Sequence, residues 1–187
     1  MTDDTAGGEG AGGQSFREFV EANQRWVYYL ALDLHGNHHD AEDLSQEVFI
    51  RAHTGLESFR GDASVRTWLR RIAINLFLNS RRKKAVRFMS FFENDEDQAV
   101  ASVAHLPDSS AEAAEIRRNV DEALKRLSPA ERSAFVLRHL QDLTVSEVAV
   151  TMEVADGTVK SLLHRATRKM QKALAVYSTT ASRTTVN

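Results

Sequence analysis

The sequence has no cysteine and few residues that break helices. Without cysteine the chain forms no disulfide, no cysteine-ligated zinc site and no thiol-based redox sensor of its own. Only two prolines occur, and five of the nine glycines lie within the first 13 residues. Because proline and glycine are this scarce over the remaining length, we predict an all-α protein.

Signals for export or membrane insertion are also lacking. No apolar run approaches the roughly 20 residues that a transmembrane helix needs. The first residues, MTDDTAGGEGAGG, lack the basic start and the apolar stretch of a secretion signal. We therefore expect a cytoplasmic protein without membrane insertion, beginning with a disordered leader over residues 1–15.

Charge is distributed unevenly, although the formal net charge is only −2. Residues 16–87 and 112–187 each contain 12 basic and 9 acidic side chains, whereas residues 88–111 contain five acidic side chains and no basic ones. Charge thus separates two basic blocks by an acidic segment, and we expect two small helical domains, over 16–87 and 112–175. A flexible acidic linker over 88–111 joins them, and a disordered tail over 176–187 follows. A basic excess in each domain favours a polyanionic partner.

Three helices are predicted in the first half. Apolar spacing indicates a first helix over Phe16–Gly36 and a second over Asp40–Leu56, with Asp40 as its cap. After the loop Phe59–Ala63, Ser64 can cap a third helix that runs to about Arg87. Its apolar stripe is predicted to be buried and consists of Leu69, Ile72, Ala73, Leu76 and Phe77.

The second half is predicted to be a four-helix domain. Ser109 with Glu112, Ser128 with Glu131 and Thr144 with Glu147 fit the capping box that marks a helix start. Pro129 occupies a favoured first helical position, and Asp156 is expected to cap the last helix.

Thr144–Lys172 has the pattern of a helix-turn-helix, whose second helix enters the major groove of DNA. Its second helix has an apolar stripe of Val159, Leu163, Ala166, Met170 and Leu174. A polar, basic side lies opposite, on which Arg165 is suited to pair with guanine. At the turn stands Glu153, where glycine is common because the position often needs φ > 0. The pattern predicts DNA binding, with an ordinary amphipathic helix as the alternative.

The third helix has a second polar face. Arg71, Asn75, Asn79 and Arg82 lie within about a quarter of the helical wheel. Asparagine can bond to base edges and arginine can bind phosphate or stack, so this face with the preceding glycine-containing loop is suited to an unstacked base. Trp68 is expected in the core.

Three segments together resemble a known family. They are DAEDLSQEVFIRAHTGLESF, FRGDASVRTWLRRIAIN and, much later, LTVSEVAVTMEVADGTVKSLLHRATRKM. In this order and spacing they are similar to bacterial RNA polymerase sigma factors of the extracytoplasmic-function (group IV) class. The resemblance covers about residues 16–87 and 112–175.

The resemblance implies a promoter-specificity subunit that is not an enzyme and has no cofactor. It implies that the second helix binds the clamp helices of the polymerase beta-prime subunit, with Asp40, Asp43, Gln46, Glu47 and Arg51 as candidates. The next loop and helix would bind and open the minus-ten element through Arg60, Gly61, Asp62, Ser64, Arg71, Asn75, Asn79 and Arg82. The last helix would read the minus-thirty-five element through Thr158, Lys160, Ser161, His164, Arg165 and Arg168.

The resemblance also implies two further protein partners. In addition, this sequence differs from many relatives at one position of the last helix. Relatives also grip the beta flap with this last domain and are commonly held by an anti-sigma factor. Many carry a basic residue at the position of Leu162, whereas leucine bonds neither to phosphate nor to base edges. The resemblance therefore leaves the promoter preference open at Leu162, and likewise at Glu153 in the turn.

Two other functions fit parts of the sequence. A helical sensor domain with the same helix-turn-helix would be a transcriptional regulator that binds duplex DNA without polymerase. His35, His38 and His39 with Glu42 suggest a zinc-dependent hydrolase, but their spacing lies across a turn and a complete ligand set is lacking, so we expect no metal.

Overall fold

The computed structural model describes the backbone of residues 16–56, 59, 63–90 and 111–184, and the side chains of 16–56, 59, 63–83 and 115–175. Within these ranges the secondary structure is helical, which confirms the all-α prediction. The helices are α1 (Phe16–His35), α2 (His38–Gly55), α3 (Val65–Ser90), α4 (Ala111–Leu124), α5 (Pro129–Phe135), α6 (Val145–Met152) and α7 (Asp156–Thr184). A π-helical turn, Val136–Leu140, continues α5.

In the first half, the predicted N-cap residue is confirmed for α3 but not for α2. Ser64 caps α3, because its Oγ accepts a hydrogen bond from the Thr67 backbone N–H at 3.2 Å. The cap predicted for α2 was wrong, since Asn37 occupies that position and its Oδ1 accepts from the Asp40 N–H at 2.8 Å. Asp40 therefore lies inside the first turn, where its negative charge interacts favourably with the helix dipole and stabilises α2.

Two of the three predicted capping boxes are confirmed, those of Ser128 with Glu131 and of Thr144 with Glu147. The third, at Ser109, lies outside the described residues. Asp156 does not cap α7, because the first turn bonds to the Ala155 carbonyl and Asp156 is the first helical residue. Its carboxylate instead accepts from the Ser146 hydroxyl at 2.9 Å, which joins the starts of α6 and α7.

The ends of the predicted domains are only partly described. The leader over 1–15 and residues 91–110 of the linker lie outside the described residues, while α3 extends three residues beyond the predicted end. α7 continues to Thr184 although we expected a tail from residue 176, and the sequence contains no proline or glycine after Gly157 that would stop it. The division into domains remains a prediction.

The larger apolar cluster draws on both halves of the chain. It joins Val27 and Phe77 of the first half to Leu137, Val148 and Val159 of the second. A smaller cluster packs α4 against α7 and includes Leu124 and Met170. The two halves therefore pack against each other in one closed conformation.

Helix α3 lies between the two halves and is buried on two sides. The predicted stripe contains Leu69 and Phe77, which are buried, but it omits Ile74, which is also fully buried. Ile74 lies one helical turn after Arg70, whose charge is close to that of Glu147 on α6, and α3 also contacts α5. This second face packs against α5 and α6, so one amphipathic stripe does not describe α3.

Candidate nucleic-acid interface

The helix-turn-helix is formed by α6, the turn Glu153–Ala155 and α7. Glu153 adopts φ 57° and ψ 44°, which confirms the expected left-handed conformation at this position. Its N–H donates to the Ala149 carbonyl and so closes the end of α6. Ala149 is buried, and its small side chain lies in α6 where this helix packs against α7.

The buried side of α7 differs from the prediction at one important residue. Leu162 is only 6% exposed and belongs to the core, as do Val159 and Ala166, whereas Leu163 is only partly buried. Residues three and four apart share a helix face, so Leu162 lies on the same side as Val159 and Ala166. The Leu162 side chain therefore packs in the core and does not lie on the exposed side of α7.

The opposite side of α7 is open to solvent. All six residues assigned there from the sequence are exposed, namely Thr158, Lys160, Ser161, His164, Arg165 and Arg168. The Ser161 hydroxyl donates to the Gly157 carbonyl at 3.0 Å, which uses its only proton within the helix. Lys160, His164 and Arg168 succeed one another at helical spacing and form a continuous basic and polar face.

Arg165 lies at the edge of this face and is held by a residue of another helix. Its Nε donates to Glu131 Oε1 at 3.3 Å, and Lys169 Nζ lies 2.6 Å from Glu131 Oε2. The Glu131 side chain is only 5% exposed. Burial alone would raise the pKa of Glu131, but hydrogen bonds from Lys169 and Ser128 hold it below its usual value. Sequence reasoning found Glu131 only as a capping residue.

The polar face of α3 is also partly open. Asn75, Asn79 and Arg82 are exposed on one side, and Arg82 Nη2 donates to Asn79 Oδ1 at 3.2 Å. Arg71 is half-buried, and its Nε has no hydrogen-bond partner. Arg60, Gly61 and Asp62 lie outside the described residues, while Ser64 is exposed at the start of α3.

The aromatic side chains near this loop pack on one another. The Trp68 ring lies 4.9 Å from Phe59 and 6.5 Å from Phe19, measured between centroids. Trp68 is partly buried against the larger apolar cluster. This placement confirms the prediction that Trp68 belongs to the core.

The residues predicted to bind polymerase lie along α2. Asp43, Gln46 and Arg51 are exposed, and Arg51 Nε pairs with Glu47 Oε1 at 2.9 Å. Asp40 is half-buried and accepts from Asn37 Nδ2 at 3.0 Å.

Between α1 and α2 lies a groove of about 930 Å³ whose wall contains Gln46 and several apolar side chains: Phe16, Val20, Tyr28, Tyr29, Phe49 and Ile50. The sequence did not predict this groove, since its two walls come from different helices.

The histidines are directed to different partners. His35 packs edge-on against Phe77 and lies 3.3 Å from an Asp40 oxygen, His38 contacts the Tyr28 hydroxyl, and His39 faces Asp43. In the part of the chain with described side chains, no three histidine or acidic residues are grouped as metal ligands. Among the helices of this same part, none is long and apolar enough to cross a bilayer.

Comparisons with known proteins match one stretch in each half of the chain. Residues 19–87 match sigma-70 region 2, and residues 117–170 match sigma-70 region 4. The chain is 34% identical over 173 residues to the ECF RNA polymerase sigma factor SigE of Mycolicibacterium smegmatis, covering 92% of this chain and 66% of that protein. It is 32% identical to the ECF RNA polymerase sigma factor SigM of Mycobacterium tuberculosis, covering 88% of this chain and 80% of that protein.

The fold is similar to that of the sigma factor RpoE of Bartonella quintana, solved in complex with the anti-sigma factor NepR, with a TM-score of 0.70 and 25% identity. The similarity covers 88% of this chain and 99% of the other.

Proposed function

Because this chain belongs to the extracytoplasmic-function sigma factors of bacterial RNA polymerase, we propose that each half carries one of its two promoter contacts. Sigma factors of this family recognise promoters and direct transcription initiation, and this chain does so too. It acts as a binding subunit without a catalytic reaction of its own, in the cytoplasm where the polymerase works.

The observation that carries this proposal is the exposed side of α7. Lys160, His164 and Arg168 face solvent on the second helix of a capped helix-turn-helix, and such a helix docks in the major groove. Lys160 and Arg168 are placed to contact phosphates, which fix the register of the helix on the duplex. Arg165, beside them, is placed to read a base edge of the minus-thirty-five element.

The exposed side of α3 is proposed to capture the opened strand of the minus-ten element. Asn75 and Asn79 lie one helical turn apart, and their amides supply both donors and acceptors for an unpaired base. Opening a duplex costs a few kcal/mol for each extruded base, so a preformed set of hydrogen-bonding groups is needed to offset that cost. Arg71 and Arg82 flank this set and supply positive charge.

The exposed side of α2 is proposed to bind the beta-prime clamp helices of core polymerase, and the second half to contact the beta flap. Asp43, Gln46 and Arg51 are exposed on α2 and offer charge and hydrogen bonds. Gln46, with the polar side chains Glu42 and Ser45, also lines the apolar groove between α1 and α2. A polar rim around an apolar centre is the usual composition of a protein interface. An anti-sigma factor is a further expected partner, because the similar sigma factor from B. quintana was solved with one.

Reconstituted transcription tests the proposal. Core polymerase with this chain should initiate from a subset of promoters in a genomic library, whereas core polymerase alone should not. Asp43→Lys should reduce recovery of the chain with the isolated beta-prime clamp helices, while Glu122→Lys, an exposed position on α4, should not. If no transcript exceeds the level with core polymerase alone, the proposed function is wrong.

A further inference from the structure

Glu131 connects two helices of the second half through three hydrogen bonds. It stands at the third position of α5, where its Oε2 accepts from the Ser128 backbone N–H at 2.9 Å. The same carboxylate accepts from Arg165 and Lys169 on α7, at 3.3 and 2.6 Å. Since Arg165 and Lys169 are four residues apart, they lie one above the other on the side of α7 that faces α5.

The bond from Arg165 uses a particular donor. Arginine has five N–H donors, and Glu131 takes the one on Nε. The two terminal nitrogens remain for a further acceptor, and this pair is the fork that binds O6 and N7 of guanine. Fixing Nε therefore restricts the rotamers of Arg165 before DNA arrives and reduces the entropy lost on binding.

The contact with Lys169 has the opposite effect. The Lys169 ammonium lies against a nearly buried carboxylate, and a charge paired in this way is less available to a phosphate. Lys160 and Arg168 have no such acidic partner among the described contacts of α7 and lie on its outer face. The Glu131 carboxylate thus orients Arg165 for contact with a base and keeps the Lys169 ammonium away from the DNA phosphates.

We propose that Glu131 is a positioning residue for promoter specificity, which presents Arg165 to a base pair of the upstream element and holds Lys169 away from phosphate. This inference rests on the function proposed for α7. Without the carboxylate, both side chains become mobile cations. Phosphate contacts are independent of sequence, so their gain strengthens binding to any DNA while discrimination between base pairs falls.

The test compares Glu131→Gln with Glu147→Gln in the full chain assembled with core polymerase. Glutamine at the third helical position can still complete a capping box, so the local cap is retained in both variants. Glu147 has the same place in the box of Thr144, where its carboxylate accepts from the Thr144 N–H and hydroxyl. Among the described side chains of α7, none donates to Glu147. The DNA probes are promoter fragments that the unmodified holoenzyme selects from a library randomised over the upstream element, together with each single base-pair change.

We expect Glu131→Gln to reduce discrimination at one base pair by about tenfold or more and to steepen the salt dependence of binding by about one phosphate contact. Glu147→Gln should alter neither quantity. In an Arg165→Ala background, Glu131→Gln should cause no further loss at that base pair. Unchanged discrimination and salt dependence in folded Glu131→Gln would overturn the inference, whereas failure of the unmodified holoenzyme to select any sequence would overturn the proposed function instead.

A second variant keeps the test informative if Glu131→Gln lowers the melting temperature. Lys169→Gln removes the withheld charge and leaves the capping box untouched. Because Lys169 is proposed not to contact phosphate, this variant should bind DNA with unchanged affinity and salt dependence. A several-fold loss of affinity would show that Lys169 contacts the DNA and would overturn its assigned role.

Discussion

The Nε of Arg132 donates a hydrogen bond to the backbone carbonyl of Asp33 at 2.9 Å, which joins α5 to α1 across the two halves of the chain. Both residues are buried. The Asp33 carboxylate also accepts from Arg117 of α4 at 2.8 Å, and Trp26 Nε1 donates to Gln141 Oε1 at 3.0 Å nearby. The closed conformation is therefore held by specific polar contacts as well as by the shared apolar cluster.

Gly36 gives Arg132 the room that it occupies. A Cβ at Gly36 would lie 3.0 Å from Arg132 Nη2, and the residue has φ +76°. Gly36→Ala is therefore expected to lower the free energy of unfolding by roughly 1–2 kcal/mol or more, through backbone strain and displacement of Arg132. Urea unfolding measures this. Gly157→Ala is the matched control, because a Cβ there meets nothing within 4 Å, and its helical site should make alanine neutral or stabilising by up to about 1 kcal/mol.

Asp33 should make the closed conformation more stable in acid. Burial raises the pKa of Asp33 to about 6 from a usual 3.8, despite the Arg117 charge beside it. The folded chain therefore holds the Asp33 proton more tightly than the unfolded chain does, and this stabilises the fold by up to about 3 kcal/mol. The stabilisation is fully present below pH 3.8 and is lost as the pH rises through 6. Asp33→Asn keeps an oxygen for Arg117 but cannot titrate. The free energy of unfolding of the unmodified chain should rise relative to this variant as the pH falls from 7 to 4, and a constant difference would contradict the assignment.

His35, in contrast to Asp33, should make the folded chain less stable in acid. Burial, with the Arg81 charge nearby, lowers the pKa of His35 to about 4 from a usual 6.5. The unfolded chain therefore takes up this proton first, and stability is lost as the pH falls from 6.5 to 4, by up to about 3 kcal/mol. His35→Gln should reduce stability at pH 7 by losing the packing on Phe77, but its deficit should shrink with acid. Denaturant titrations at several pH values measure this, and a deficit that grows in acid would be the contrary result.

Leu162 should matter for folding and not for DNA contact. Because Leu162 is buried in the larger apolar cluster, Leu162→Ala is expected to cost about 2–5 kcal/mol of unfolding free energy. Protein that remains folded should bind promoter DNA normally. Lys160→Ala, two residues away on the exposed side, should change stability by less than about 0.5 kcal/mol and weaken DNA binding. Equal stability of the two variants in thermal unfolding would contradict the placement of Leu162.

The two proposed DNA surfaces should be separable. Arg165→Ala should weaken holoenzyme binding to the upstream duplex by about 1–3 kcal/mol, mostly at one base position. Asn75→Ala should leave that binding intact and slow formation of the open complex, which is followed with a fluorescent base in the minus-ten element. If each variant impaired both measurements equally, the assignment of separate tasks to α3 and α7 would be wrong.

Sequence alone was sufficient where a structure depends on neighbours in the chain. The capping boxes of Ser128 and Thr144 join residues three apart, and the left-handed turn at Glu153 follows from the helix-turn-helix pattern, so both are readable from the sequence. Apolar periodicity likewise predicted the helices and most of the buried side of α7. The family motifs then indicated the function, because their order and spacing are properties of the sequence itself.

Only the tertiary structure determined which helix faces meet. The Asp33–Arg132 contact joins residues 99 positions apart, and Glu131 reaches Arg165 across 34 positions. Helical periodicity gives the direction of a side chain about its own axis but not the neighbour that it meets. For this reason the second buried face of α3 at Ile74, the core position of Leu162 and the ion pairs of Glu131 became visible only once the helices were packed together.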